Sequence, residues 1–558
     1  MTTKKSKDLV FAPLGGVGEI GMNLALYGYG DDHKRDWIVV DFGISFPGPH
    51  QPGVDVIFPD IKFLEDIKKD ILGILITHAH EDHYGALLEL WPAIERPLYC
   101  SEFVSGLLNA KAARFGEYEK IPSNNVKQGE SIDLGPFNIE FIAVSHSIPD
   151  PCSLLITTPA GRVLHTGDWK LDPNPGVGRS TDVERLKEIG NTGGVDALIC
   201  DSTNAMREGV SPSEADIQKN LISVIKSAEN RVAVTTFSSN VARIRAIALA
   251  AAACDRQVVL MGAAMRRVVD VSRELGYLDD VPPFISENEY GYLPREKVLV
   301  ILTGTQGEPR AALARIARND HRDIAFSKGD MVIFSSRAIP GNEKLVGNII
   351  NQLAASGVDV VTDKDAEVHV TGHPRINELL QMYDWVKPRS LVPVHGEAMH
   401  LKAQARLGLE NGISDVMVID NGDVVHVAPN ALQKVDEIPA GILVRDGKLI
   451  RDEEGAGVIK RRKLSFAGVV NIAIVIDSKG DIPDDPAVEC IGLPLEDDDD
   501  ELMEDILFEV VLNTVEGLPR KKRRDEALVR DAVYRAVRAK VNYIWGKKPF
   551  CSVLLLRA

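Results

Sequence analysis

Cysteine is scarce in this chain. Its six copies among 558 residues, at positions 100, 152, 200, 254, 490 and 551, stand far apart with no C-x-x-C pair. That excludes a dense disulfide framework and a cysteine zinc site, and it fits a reducing compartment. Long apolar runs are also missing, since nothing approaches the roughly 18 consecutive apolar residues of a membrane span. The opening stretch, MTTKKSKDLVFAPLGG, has lysines but no apolar core of signal-peptide length. The expected setting is therefore cytoplasmic, with no membrane partner. Basic excess is lacking too. The formal charge of −17 disfavours, at face value, a nucleic-acid partner. Its distribution weakens that inference, because Arg231 to Leu345 carries 16 Lys/Arg against 13 Asp/Glu and leaves the remainder near −20. A local basic lining can hold a polyanion while the bulk stays acidic.

What is present is ordinary globular material, 44% hydrophobic and 26% charged, with room for two to four domains. The densest chemical signal is Ile71 to Gly85, ILGILITHAHEDHYG. An apolar β-branched run through Thr77 reads as a buried strand. It stops at His78, and His80, Asp82 and His83 follow before apolar residues resume at helical spacing. Only 13 histidines occur in the whole chain, so three within six positions are poorly explained as a chance surface turn. Neutral imidazoles and a carboxylate on rigid flanks suit zinc. The step from Asp82 to His83 points those side chains differently from His78 and His80, an arrangement that can serve two adjacent ions.

The rest of the chain supplies further strands that end in polar, ligand-capable residues. Phe137 to Ser145 ends in His146, the hairpin 153–166 ends in Asp168, and Ala197 to Cys200 ends in Asp201. Sheets whose strand ends converge on one rim build sites this way. From Ser211 helices and strands alternate, which predicts an inserted α/β domain with a parallel sheet. Strands at Glu367 to Val370 and Leu391 to Val394 then return to the earlier style and bring His373 and His395. The expected division is 1–210, an insert at 211–366, a return at 367–430, a linker at 431–463, and a small α+β domain at 464–558. Gly16-Val17-Gly18-Glu19-Ile20-Gly21, with Asp41 downstream, matches G-x-G-x-x-G. No helix fits after the glycines, so a strand-to-strand turn is the better reading than a nucleotide site.

The ordered set His78-Ala79-His80-Glu81-Asp82-His83, His146, Thr166-Gly167-Asp168 and Pro393-Val394-His395-Gly396 resembles the motifs of the metallo-β-lactamase superfamily. Asp201, Gly372-His373-Pro374 and His395 are similar to the three motifs of its β-CASP branch. The blocks Asp201-Ser202-Thr203-Asn204, Gly304 to Pro309 and Ile339-Pro340-Gly341-Asn342-Glu343 resemble the bacterial ribonuclease J family.

That resemblance implies an αββα metallo-β-lactamase sandwich with a β-CASP insert and a small C-terminal domain. It implies two zinc ions per chain, one held by His78, His80 and His146, the other by Asp82, His83 and His395, with Asp168 bridging. Mn²⁺ or Mg²⁺ can substitute at such ligands. His373 is expected to reach the scissile phosphate and assist the leaving group, against the plain reading of a loop histidine. Asp201 is expected to orient a ligand histidine, against a turn aspartate. His369, Val370, Thr371, Gly372 and His373 resemble a phosphate-binding loop. Ser238, Ser239 and Asn240 offer hydroxyls and helix N-terminal amides to a 5′-monophosphate, or act only as N-caps. Thr371 and Arg375-Ile376-Asn377-Glu378 depart from the family's usual residues, which leaves 5′-end selectivity open. Gly53 and Asp55 correspond to a structural calcium loop in some relatives. Pro519 to Arg524 reads as an RNA contact or, more simply, a solvated helix entry.

The implied activity is hydrolysis of single-stranded RNA bearing a 5′-monophosphate, 5′-to-3′ exonucleolytic and also endonucleolytic, in maturation and decay. Implied partners are a homodimer or homotetramer and decay or ribosome-associated proteins. The rivals are a small-molecule thioester or lactone hydrolase, which needs neither the insert nor Gly-His373, and a non-catalytic RNA-binding subunit, which has no need to keep the ligand set intact.

Overall fold

The computed structural model describes residues 7–31, 33–116, 118–339 and 341–558. Met1 to Ser6 of the opening stretch and Pro340 of the Ile339–Glu343 block lie outside the described residues. The chain forms two compact units, Met1–Ser45 with Phe58–Gly441, and Phe46–Ile57 with Ile442–Ala558.

The first unit is built on two sheets packed face to face. One runs in the order Gln433–Glu437, Asp423–Ala428, Asp8–Gly15, Leu24–Asp31, Lys34–Val40, Ile71–Leu75, Leu98–Cys100, Ser123–Asn125. The other runs Asp415–Val416, Pro388–Val394, Val195–Asp201, Gly161–His165, Cys152–Thr158, Phe137–Ala143, Ser131–Leu134. Alternation along each strand decides which side chains fill the space between. Phe137, Ile139 and Phe141 meet Leu9, Phe11, Tyr27 and Val40 in that inner core. Ile142 points the other way, into an outer core with Leu198, Cys200, Leu379 and Met382, under the helices Val183–Asn191 and Ile376–Val386. Two sheets between outer helices make the αββα sandwich that the motifs imply.

The insert carries a five-stranded sheet in the order Gln257–Leu260, Val298–Leu302, Val232–Thr235, Met331–Phe334, Asp359–Val361, parallel throughout. Val298–Leu302 is buried at every position, as a strand covered by helices on both faces must be.

Two expectations are corrected. Glu367 to Val370 alternates like a strand but joins no sheet among the described residues. Its central carbonyl, Val368 O, accepts instead from Arg243 Nη1 and Ser335 Oγ, so a ladder partner has nothing to bond there. The stretch 431–463 is not a bare connector. Gln433–Glu437 pairs antiparallel with Asp423–Ala428, Ile442–Asp446 and Leu449–Arg451 form a hairpin, and the helix Val458–Ala467 begins within it.

In the second unit Val469–Ile476 lies between antiparallel Ala487–Ile491 and parallel Phe550–Arg557. Val529, Val533, Val537 and Val541 recur every four residues along the helix Glu526–Trp545. They bury one stripe against Leu507, Val511 and Val515 of Met503–Gly517 and against the sheet.

Candidate metal centre

The strand Ile71–Leu75 runs into Thr77 and then His78, which is almost fully buried. His80 stands at the N-cap of the short helix Glu81–Tyr84, which carries Asp82 and His83. The strands of the second sheet bring His146, Asp168, Asp201 and His395 to the same rim. Nδ1 of His80 lies 3.1 Å from Nε2 of His78 and 3.0 Å from Nε2 of His146. Three ring nitrogens aimed at one point leave a place that only a cation or protons can occupy without repulsion. Asp168 Oδ2 stands 3.7 Å from Nε2 of both His78 and His146, and 3.3 Å from Nε2 of His83. His395 Nε2 lies 3.2 Å from Asp82 Oδ2 and 3.5 Å from Asp168 Oδ1. Two groups of donors share Asp168, namely His78, His80, His146 and Asp82, His83, His395, and a third joins Asp201, His373 and His395.

The fit of this cradle to metal is legible in its electrostatics. Asp168 is buried, and its Oδ1 has no hydrogen-bond partner among the described residues, a costly state unless a cation meets it. Burial, joined by the neighbouring imidazoles, pushes His78 and His146 well below the usual imidazole range and His80 down to about 4, so these nitrogens are neutral and free to ligate. At His395 burial also pulls downward, but Asp168 and Asp82 outweigh it and raise the imidazole to about 9. At His83 the carboxylates of Asp168, Asp41 and Asp82 likewise overcome burial. Without a cation the carboxylates draw protons onto the second group, which is the signature of a site built for positive charge.

Several positioning residues carried no sequence signal as such. Asp41 follows Lys34–Val40, the strand beside Ile71–Leu75. It accepts from the Thr77 amide at 2.8 Å, from Thr77 Oγ1 and from His83 Nδ1 at 2.7 Å. That last bond turns Nε2 of His83 toward Asp168. Thr203 Oγ1 meets Nδ1 of His395 at 2.9 Å, and the Gly16 carbonyl takes the His395 amide at 2.7 Å. Gly16, Gly18 and Gly21 all have positive φ and form the expected strand-to-strand turn.

His373 Nδ1 donates to Asp201 Oδ2 at 2.8 Å. The other oxygen of Asp201 is 4.0 Å from Nδ1 of His395, which Thr203 already engages. The short contact of Asp201 is thus to His373, and its approach to the ligand candidate His395 is the longer one. Burial pulls the His373 imidazole down, yet Asp201 and Asp168 together hold it above its ordinary value. In the preceding loop the Gly372 carbonyl accepts from His146 Nδ1 at 2.6 Å. A side chain at Gly372 would come within 2.5 Å of the His146 ring, so only glycine permits that approach. Asn204 Nδ2 donates to Thr371 Oγ1 at 2.8 Å. Val370 is buried in the packing, whereas Nδ1 of His369 is buried without a partner among the described residues.

Other predicted residues land less fully. Asn240 caps the helix Val241–Ala253 by accepting from the Arg243 amide, which is the N-cap alternative; Ser238 and Ser239 are half-buried beside it. The calcium loop is not supported. Arg461 fills the space beside Gly53, and Asp55 Oδ2 accepts from the Gly447 amide. No metal-holding group of three His, Cys, Asp or Glu gathers there among the described residues.

Four family models cover most of this architecture. Residues 36–236 match the beta-lactamase superfamily domain, 229–353 the ribonuclease J beta-CASP domain, 358–418 the Zn-dependent metallo-hydrolase RNA specificity domain, and 457–558 the ribonuclease J C-terminal domain. The chain is 54% identical over 553 residues to a ribonuclease J of Sinorhizobium meliloti, covering 99% of this chain and 98% of that one. It is 38% identical over 542 residues to a ribonuclease J of Mycolicibacterium smegmatis, with 96% and 95% covered. A crystal structure of an Enterococcus faecalis V583 protein of unknown function superposes with a TM-score of 0.54 at 18% identity, over 75% of this chain and 100% of that one, a likeness of fold alone. Identity above half, sustained from one end of a relative to the other, leaves no room for a different lineage: this chain belongs to the ribonuclease J family.

Proposed function

We propose that this chain is a metal-dependent ribonuclease that hydrolyses RNA phosphodiesters at a centre for two cations. One cation would be held by His78, His80 and His146, the other by Asp82, His83 and His395, with Asp168 between them. The observation that carries this reading is Asp168, a buried carboxylate inside a ring of imidazoles, one of whose oxygens takes no hydrogen bond among the described residues. Imidazole and carboxylate donors suit zinc, with Mn²⁺ or Mg²⁺ as substitutes. Cations bound there supply the positive charge that acidifies a water and offsets charge on the displaced phosphodiester.

The chain's own residues do the rest. His373, its proton held by Asp201, is placed to protonate the leaving oxygen. Loop His369–His373 and the half-buried Ser238 and Ser239 receive the RNA backbone. Thr235, Thr236 and Ser336, at the carboxyl ends of two adjacent parallel strands, bury hydroxyls that have no partner among the described residues, as does Nδ1 of His369. Orphaned donors at that rim of a parallel sheet suit a terminal 5′-phosphate. A 5′-phosphate seated there gives the 5′-to-3′ exonucleolytic mode, and an internal segment entering without it gives the endonucleolytic one. Exposed Ile491, Phe550, Leu554 and Leu556 on the outer face of the C-terminal sheet suit assembly into a homodimer or homotetramer. No helix among the described residues is long and apolar enough to cross a membrane.

Metal analysis joined to cleavage of 5′-labelled RNA tests the whole reading. Wild type should bind about two ions per chain, as a centre with two metals requires, and should cut 5′-monophosphorylated RNA. Asp82→Ala and His83→Ala should lose both properties. Equal cleavage by the variants would remove the mechanism.

A further inference from the structure

Arg243 is completely buried, lies outside the set of metal-ligating groups, and is one of the largest side chains the interior contains. A guanidinium survives burial only when its charge is paired and its N–H groups are taken. Nε and Nη2 form a two-point ion pair with Glu214, each at 3.0 Å. Nη1 donates to Ser335 Oγ at 2.7 Å, to the Ser335 carbonyl at 3.2 Å and to the Val368 carbonyl at 3.1 Å. Ser335 Oγ donates to the same Val368 carbonyl at 2.6 Å. Val368 opens the loop whose far end places the Gly372 carbonyl on His146 Nδ1.

The contacts also run from Glu214 in the opposite direction and end on the residue that precedes His146. The Glu214 amide donates to Asp172 Oδ2 at 3.0 Å, and Asp172 forms an ion pair with fully buried Lys170 at 2.9 Å. The Lys170 amide donates to the carbonyl of Ser145, the residue before His146. Buried polar contacts thus bear on the two segments that flank and hold His146, through Ser145 and through the loop from Val368 to Gly372, with Arg243 at the point where insert and loop meet.

We propose that Arg243 is a positioning residue of the metal centre: by clamping Val368 it sets the loop so that Gly372 orients His146, and with it the cation that His78, His80 and His146 would hold. The alternative role, cement for the insert alone, lowers thermal stability and leaves the centre unchanged.

Full-length Arg243→Lys keeps the charge and loses the planar two-point geometry. Ser335→Ala removes one donor to Val368 and leaves the ion pair whole. Val300→Ala weakens the insert at a fully buried sheet position away from these contacts and serves as the stability control. Each protein is titrated with Zn²⁺ against a chromogenic chelator below its unfolding temperature, then assayed on 5′-phosphorylated RNA. Arg243→Lys should bind one Zn²⁺ more weakly, by a factor that approaches the roughly 10- to 100-fold cost of losing an outer partner of a ligating histidine as Gly372 leaves His146. Ser335→Ala should show a smaller loss and Val300→Ala none, and excess Zn²⁺ should restore part of kcat in the first two. Wild-type affinity in both Arg243→Lys and Ser335→Ala, or an equal loss in Val300→Ala, overturns the proposal. The inference rests on the nuclease reading only for its activity readout. A wild type that binds Zn²⁺ without cutting RNA would end that reading and leave the affinity comparison decisive.

Discussion

Replacing Asp201 by asparagine isolates the proton that His373 is placed to deliver. The carboxylate is buried, and its Oδ2 takes the His373 Nδ1 hydrogen at 2.8 Å. A hydrogen bond between charged partners contributes about 1.5–3 kcal/mol. At roughly 1.4 kcal/mol per decade, its loss lowers the rate about 10- to 100-fold if the bond is fully developed only when His373 carries its proton. The pH dependence has a definite sign. As the proposed general acid His373 would work protonated, and Asp201 and Asp168 hold its proton above the ordinary imidazole value against burial. Cations at the centre would neutralise Asp168 and leave Asp201 as the group that keeps the proton in place. In Asp201→Asn, therefore, the limb on which activity falls with rising pH should move to lower pH. Single-turnover cleavage of 5′-phosphorylated RNA across pH 5.5–9 reads this, beside hydrolysis of bis(p-nitrophenyl) phosphate, whose leaving group needs no proton. The RNA reaction should suffer at least tenfold more than the activated diester, with metal content unchanged. An unmoved alkaline limb, or equal loss on both substrates, would refute the general-acid assignment.

Other outcomes follow from the same geometry. Asp41→Asn should weaken Zn²⁺ binding by about 10- to 100-fold in chelator competition, because His83 loses the partner that turns its Nε2 inward. Gly372→Ala should lower metal occupancy without removing the general acid, since its methyl collides with the His146 ring; full occupancy would contradict the close approach. Zinc uptake by the metal-free protein at pH 7 should release protons, because His395 titrates at about 9 without a cation. Because His83 and His395 both hold protons that the same ion must displace, its affinity should rise by about a hundredfold per pH unit below that value, measured by calorimetry in buffers of different ionisation enthalpy; pH-independent affinity would sink this account.

Residues that announced the centre did so by crowding. Four donors within His78 to His83, each at a strand end or in the turn after it, are visible because strand termination and ligand chemistry coincide in one window. Asp41, Thr203 and the Gly372 carbonyl gave no such signal, since each acts through a partner far away in sequence. Asp201 was visible as a strand-end carboxylate, but which histidine it serves depends on how near Thr203 comes to His395. Glu367 to Val370 alternates as a strand does, and nothing local records that a buried guanidinium claims its carbonyl. Gln433–Glu437 reads as connector because every residue of that edge strand is exposed, so it lacks the apolar alternation by which strands are recognised.

The apparent dinucleotide fingerprint shows why a motif needs its context. Gly16, Gly18, Gly21 and Asp41 fit the pattern by spacing, and no helix follows to meet a pyrophosphate. In the fold both ends of the false match nonetheless serve one site, since the Gly16 carbonyl holds the His395 backbone and Asp41 holds the His83 ring. Asp41 and His395 each adopt a positive φ, 64° and 52°. That conformation costs a non-glycine residue about 1–3 kcal/mol and persists only where its surroundings over-determine it. Asp41 is held by Thr77 and His83, and His395 by Gly16 and Thr203. Both strained residues thus bear on the same proposed cation, the one that Asp82, His83 and His395 would share. The energy of the second group is spread over hydrogen bonds that aim its imidazoles before any ion arrives, and a rigid, charge-starved cradle of that kind binds metal without first having to be ordered.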